Sequence, residues 1–159
     1  MNIRIRRFTA GDLPRVMRIE RASFGSGAWP AEWLSQYADA FPELFLIAAL
    51  NARAVGYIAF SVARGWAELV SIAVLPACRR RGIATALLAR GLQTLRRRPV
   101  RGVFLMVRRG NEPAVRLYES AGFQRVRTVA RYYEDGSPAL RMRLVLPGTG
   151  PATRRLGVT

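Results

Sequence analysis

The sequence predicts a mixed α/β fold: a mostly antiparallel central sheet of about six or seven strands with helices on both faces. Three observations lead there. Apolar residues alternate or run together over strand-length segments at 3–8, 44–50, 54–62, 66–75, 102–108, 123–133 and 139–146. Helical spacing of apolar residues falls between them, at 13–24, 30–40, 81–97 and 112–121. The stretch 66–121 reads strand, helix, strand, helix, whereas the strands flanking it are joined by short turns.

Each element has a local warrant. Residues 3–8 alternate isoleucine with arginine before Thr9-Ala10-Gly11-Asp12, which offers a cap and a turn. Leu13, Val16, Met17 and Ile19 then fall on one helical face until Gly25-Ser26-Gly27 breaks it. Pro30 sits where a second helix takes its first turn. Trp29 and Trp33 beside it either pack into the core, the commoner role of an indole, or form a binding edge. Asn51-Ala52-Arg53 is a tight hairpin signal. Strand 66–75 is apolar on both parities, as suits the interior of a sheet. Helix 81–97 carries Ile83, Leu87, Leu88, Leu92 and Leu95 on one stripe. Glu134-Asp135-Gly136 turns the chain between the two terminal strands. Residues 147–159, rich in Gly, Pro and Thr, read as a disordered tail, leaving 1–146 as one domain.

Composition removes whole mechanisms. The net charge of +16 comes from 26 basic residues, all arginine, and histidine is absent as well. Without His or Lys there is no histidine base, no Ser-His-Asp triad, no Schiff-base lysine and no Walker lysine. One cysteine rules out an internal disulfide framework and, with no His, speaks against a metal site. The start MNIRIRRF lacks a signal-peptide core and no apolar run spans a bilayer, so a cytoplasmic protein without membrane contact is expected. The charge predicts acidic partners, nucleic acid among them, or else a solvated surface shaped by Arg-for-Lys usage.

The start of helix 81–97 is chemically odd. Cys78-Arg79-Arg80-Arg81-Gly82 contains no Ser, Thr, Asp or Asn to cap the free amides. It also sets cations where the helix dipole is already positive. Both features make sense if an anion docks there on backbone N–H groups and arginine, with glycine allowing close approach. A solvated basic turn is the other reading.

Arg79-Arg80-Arg81-Gly82-Ile83-Ala84 resembles the (Q/R)xxGx(G/A) signature of the GNAT family of acyl-CoA-dependent N-acetyltransferases. Asn111, Ala114, Leu117, Tyr118, Glu119, Gly122 and Phe123 resemble a second block of that family, N-x-x-A-x-x-L-Y-E-x-x-G-F. The likeness extends from Ile3 to about Leu146 and implies the GNAT fold. It also implies acetyl-CoA as acetyl donor, its pyrophosphate on the amides of Arg80, Arg81, Gly82, Ile83 and Ala84. The pantetheine would pair with Ile72, Ala73 and Val74, and Arg79 and Asn111 would touch the cofactor. Tyr118 matches the tyrosine that protonates the leaving thiolate; otherwise it is a core aromatic.

Within the family the chain most resembles the RimI-type ribosomal-protein alanine N-acetyltransferases. The likeness rests on Glu20-Arg21-Ala22-Ser23-Phe24, the LYESAGF block and Arg131-Tyr132-Tyr133-Glu134-Asp135-Gly136. That type carries its glutamate base at the position occupied here by Met106. Glu68 is the substitute: its parity neighbours Val70, Ile72 and Val74 are apolar, and partial burial raises a carboxyl pKa toward a useful range. Otherwise it is a solvated glutamate at a strand end. The expected acceptor is a protein N-terminus, with a ribosomal protein as the form the RimI resemblance implies; an α-amine near pKa ~7.8 is roughly 10–15% neutral at pH 7, a lysine under about 0.1%. A small-molecule amine acetyltransferase and a non-catalytic acyl-CoA-binding module are the competing readings. Cys78 beside Arg79 offers a covalent route, but the family pattern is direct transfer.

Overall fold

A computed structural model describes residues 2–147 and divides them into two compact units. The expected tail therefore lies, from residue 148 on, outside the described residues. The first unit runs to Ser61 and takes in Leu69–Leu92; the second comprises Val62–Glu68 and the chain from Gln93 onward. The elements follow as β1 (Ile3–Arg7), α1 (Leu13–Phe24), α2 (Ala31–Ala40), β2 (Phe45–Leu50), β3 (Arg53–Ala63), β4 (Trp66–Val74), α3 (Ile83–Arg96), β5 (Gly102–Arg108), α4 (Glu112–Ser120), β6 (Gln124–Val129) and β7 (Ala139–Val145). The strands make a seven-stranded sheet in the order β1-β2-β3-β4-β5-β7-β6; β1–β2, β2–β3, β5–β7 and β6–β7 pair antiparallel, and β4 runs parallel to β5. This is the predicted mixed α/β class. Among the described residues no helix is long and apolar enough to cross a membrane.

In the first unit, α1 and α2 bury Val16, Ile19, Leu34 and Ala38 against Phe45, Ile47, Tyr57 and Ala59. Strand residues of the other parity meet α3. A Cβ on Gly56 would lie 3.3 Å from Leu87, and one on Gly91 only 2.3 Å from the ring of Phe60. Gly91 is thus what lets α3 settle onto β3. The β2–β3 hairpin turns at Asn51 and Ala52, both at positive φ (50° and 66°), the twist-matched two-residue turn. Asp12 ties the entry to α1: it accepts two bonds of 2.7 Å from the Arg6 guanidinium and one of 2.8 Å from the Thr9 amide.

Trp29 is half-buried against this core, stacked 5.7 Å from Tyr37. Trp33 is not core: it is 52% exposed. The reason is helical phase, since Leu34 and Ala38 take the inward face of α2 and turn Trp33 outward. β4 also departs from expectation, alternating half-buried and buried positions rather than burying both faces.

In the second unit, β5, β7 and β6 form an antiparallel ladder. The end of α4 explains the Gly-Phe pair of the second motif. The Gly122 amide donates to the Glu119 carbonyl and the Phe123 amide to the Tyr118 carbonyl, each at 3.0 Å, with Gly122 at φ +99°. That is a Schellman cap, which only glycine enters without strain, and it swings Phe123 into the core 5.9 Å from Tyr118. β6 ends at Val129, earlier than the sequence suggests, and Arg131 just beyond takes a positive φ of 52°.

Candidate active site

The first unit holds the predicted anion turn. α3 begins at Ile83, two residues later than helical spacing suggests, because Arg80 and Gly82 both have left-handed backbone, φ +64° and +77°. The Ala86 amide donates to the Gly82 carbonyl at 3.0 Å, so Gly82 occupies the cap position and offers no side chain to the amides that follow. Nothing lies within 4 Å of where a Gly82 Cβ would stand. The space before the helix is open, Arg80 and Arg81 are exposed around it, and a phosphate fits the amides and the charge. Arg79 is placed differently. Its Nε donates to the Val74 carbonyl at 3.0 Å and its terminal nitrogen to Ser23 Oγ at 3.3 Å, clamping the turn to the end of β4 and to α1. Ala73 and Val74 are buried and Ile72 is half-buried.

A buried polar network that the motifs did not reveal underlies the same strand. Glu20, 1% exposed, accepts the Trp29 amide at 3.0 Å and the Tyr57 hydroxyl; that hydroxyl is also 2.8 Å from Ser71 Oγ on β4. Burial, and then the Glu20 charge, push the Tyr57 phenol well above the usual tyrosine range. The signal was present in the sequence: a carboxylate on the same helical stripe as Val16 and Ile19 has to find partners.

The second unit gathers Glu68, Met106, Tyr118, Tyr132, Tyr133 and Arg141. Glu68 opens β4 opposite Phe104 of β5. It is half-buried, and burial raises its pKa while the Arg141 charge lowers it. Arg141 lies with its guanidinium carbon 4.4 Å from the Phe104 ring centre and stands opposite Met106 in the ladder. The Met106 position is thus faced by a cation. The Tyr132 phenol is raised by burial and by the Glu68 charge, which places the two in electrostatic reach. Tyr132 meets Tyr133 edge-on at 5.0 Å, and Arg108 lies 4.2 Å over the Tyr133 ring. Tyr118 is buried, 6% exposed, and its phenol is pushed far above the usual tyrosine range, first by burial and then by Tyr133. It stays protonated at physiological pH, so its hydroxyl has a proton to donate. Asn111 caps α4, its side-chain oxygen accepting the Ala114 amide at 3.4 Å. Sequence reasoning missed Arg141 and Phe104, which carry no motif and become visible only through strand register.

Residues 13–123 match the acetyltransferase (GNAT) family. An N-alpha-acetyltransferase of Sulfurisphaera tokodaii is 31% identical over 152 residues, covering 87% of this chain and 90% of that protein. A ribosomal protein bS18 alanine N-acetyltransferase of Salmonella typhimurium is 35% identical over 118 residues, covering 65% of this chain and 80% of the relative. The crystal structure of Ard1 from Thermoplasma volcanium superposes with a TM-score of 0.87 at 28% identity, covering 92% of this chain and 99% of that one.

Proposed function

Because this chain belongs to the acetyltransferase (GNAT) family, we propose that it transfers the acetyl group of acetyl-CoA to the α-amine at a protein N-terminus. The observation that carries the reading is the half-buried Glu68 carboxyl beside Tyr132, in place of the base lost at Met106. The named N-terminal acetyltransferases among its relatives support the acceptor class. A ribosomal protein is the finer form of the same reading.

The first unit supplies donor recognition. The amides of residues 80–84 and the Arg80 and Arg81 charges hold the pyrophosphate, Arg79 keeps the turn in place, and Ile72, Ala73 and Val74 present backbone to the pantetheine arm. Asn111 keeps its side-chain Nδ2 as a donor toward the cofactor. The second unit supplies proton handling. Glu68 takes a proton from the incoming ammonium, directly or through a water. The neutral amine attacks the thioester carbonyl, the C–N bond forms, the C–S bond breaks, and Tyr118 gives its proton to the departing thiolate. The second proton that the nitrogen sheds on becoming an amide returns the Tyr118 phenolate to the phenol through water, and Glu68 releases its own to solvent. An α-amine near pKa ~7.8 is already partly neutral at pH 7, so a carboxylate base with a modestly raised pKa suffices where a lysine acceptor would need more. The single half-buried cysteine fits a reducing cytoplasm.

The test is turnover with acetyl-CoA on one peptide carrying a free α-amine and one lysine, read by fragment mass spectrometry. Acetate on the α-nitrogen is expected. Acetate on lysine alone, or turnover of spermidine and no peptide, would overturn the assignment.

A further inference from the structure

The half-exposed face of the sheet in the second unit carries charge that the transfer chemistry does not use. Register fixes which side chains share it. Glu68 is opposite Phe104, Phe104 opposite Arg143, and Arg143 opposite Gln124; one step along, Met106 is opposite Arg141 and Arg141 opposite Arg127. Directly opposed residues of a ladder project to the same side. Glu68, Phe104, Met106, Arg141, Arg143 and Arg127 therefore lie on one face. Arg125 is on the other, where it pairs with Glu119 at 3.1 Å. Arg108 is matched by Asp135 at 2.9 Å. Three arginines thus share a face with a single strand carboxylate, and none of the three makes a salt bridge among the described residues.

Such a row is unfavourable by itself. Like charges directly opposite in a ladder destabilise it, and Arg127 faces Arg141. An anion on that face would remove the repulsion. We propose that Arg127, Arg141 and Arg143 form a subsite for acidic side chains at the second and third positions of the acceptor, so that the preferred substrates are N-termini followed by Asp or Glu. This rests on the N-terminal acceptor reading.

Distances agree. Neighbouring strands are ~4.8 Å apart, so β7 lies ~10 Å and β6 ~14 Å from β4 and its Glu68. An extended acceptor advances ~3.5 Å per residue, which sets its second and third residues within ~4–7 Å of the amine, and arginine stems span the remainder. A polyamine would meet like charge here.

The experiment compares kcat/KM for three peptides identical except at positions two and three, Asp-Asp, Gly-Gly or Arg-Arg, at low and at raised salt. The expected order is acidic, neutral, basic, with about tenfold between the first two at low salt and less as salt screens the charges. In Arg127→Glu/Arg143→Glu the acidic-to-basic ratio should collapse or invert; Arg127→Gln/Arg143→Gln serves if charge reversal does not fold by circular dichroism. Equal kcat/KM across the peptides, or a preference that survives both double variants, overturns the subsite. So does an unchanged peptide ratio with loss of ribosome co-sedimentation, which would make the row an RNA contact. If no peptide is acetylated while spermidine is, the N-terminal reading itself fails.

Discussion

The Tyr57 hydroxyl donates to the Glu20 carboxylate in a part of the first unit that excludes water, both residues being 1% exposed or less. Ser71 and the Trp29 amide complete the set, so β3, β4 and the segment after α1 are fastened to one carboxylate. Tyr57→Phe leaves a buried carboxylate oxygen without its donor and should cost about 1–3 kcal/mol. A urea titration giving an unchanged midpoint would show that the network is not under load.

Asp12 links stability to acid. Hydrogen bonds from Arg6, and then from Thr9, hold its carboxyl below the usual range against the opposing effect of burial. A depressed folded pKa stabilises above the unfolded value of about 3.9 and is lost as pH falls through the folded one. Asp12→Asn should lower stability by about 1–3 kcal/mol near neutrality, and the gap between wild type and variant should close at strongly acid pH. Parallel denaturation curves across pH 2–7 measure it.

At the turn before α3, two substitutions separate strain from charge. Gly82→Ala meets no neighbour but must hold φ +77°, so it should cost about 1–2 kcal/mol of stability. Gly82→Asp adds a carboxylate at the proposed pyrophosphate site, and should weaken acetyl-CoA by at least about tenfold more than alanine does. Calorimetric titration showing equal affinity for the two variants would move the phosphate elsewhere.

As the proposed base, Glu68 would act when deprotonated, so activity should fall as pH drops. Because burial raises its pKa against the pull of Arg141, the acid limb of kcat/KM should lie above the ordinary glutamate value of about 4.3. Glu68→Gln should lower kcat and remove that limb. A limb that persists in the variant belongs to another group.

Tyr118→Phe removes a proton donor and leaves the ring beside Phe123 in place. It should lower kcat by roughly 10²-fold with little change in KM for acetyl-CoA. Steady-state kinetics with an unaltered kcat would return Tyr118 to a packing role.

The elements were legible wherever side-chain period and turn chemistry agree. The Asn51-Ala52 hairpin, α1 and β5 fall where periodicity puts them. Boundaries drifted where backbone rather than pattern decides: Arg80 and Gly82 delay α3, and β6 stops short of Arg131. Motifs singled out the turn before α3 and Tyr118 as candidates, since those blocks are contiguous. The arginine row was not legible, because Glu68, Phe104, Met106, Arg127, Arg141 and Arg143 are far apart along the chain and only strand register joins them. Trp33 misled for a simpler reason: hydrophobicity says that a side chain prefers burial, while helical phase decides whether it gets it.

The outer strands of the sheet, β1 and β6, are both arginine-rich, with Arg4, Arg6 and Arg7 on one and Arg125 and Arg127 on the other. β6 also has a bulge between Arg125 and Arg127. An unpaired strand edge is a template on which another chain can grow. Arg6, Arg7 and Arg125 are matched to Asp12, Glu43 and Glu119, but the long charged side chains still crowd both edges, and at β6 a second copy would find an irregular ladder as well. The same abundance of arginine that complicates reading a partner from composition thus disfavours edge-to-edge pairing between copies of the sheet.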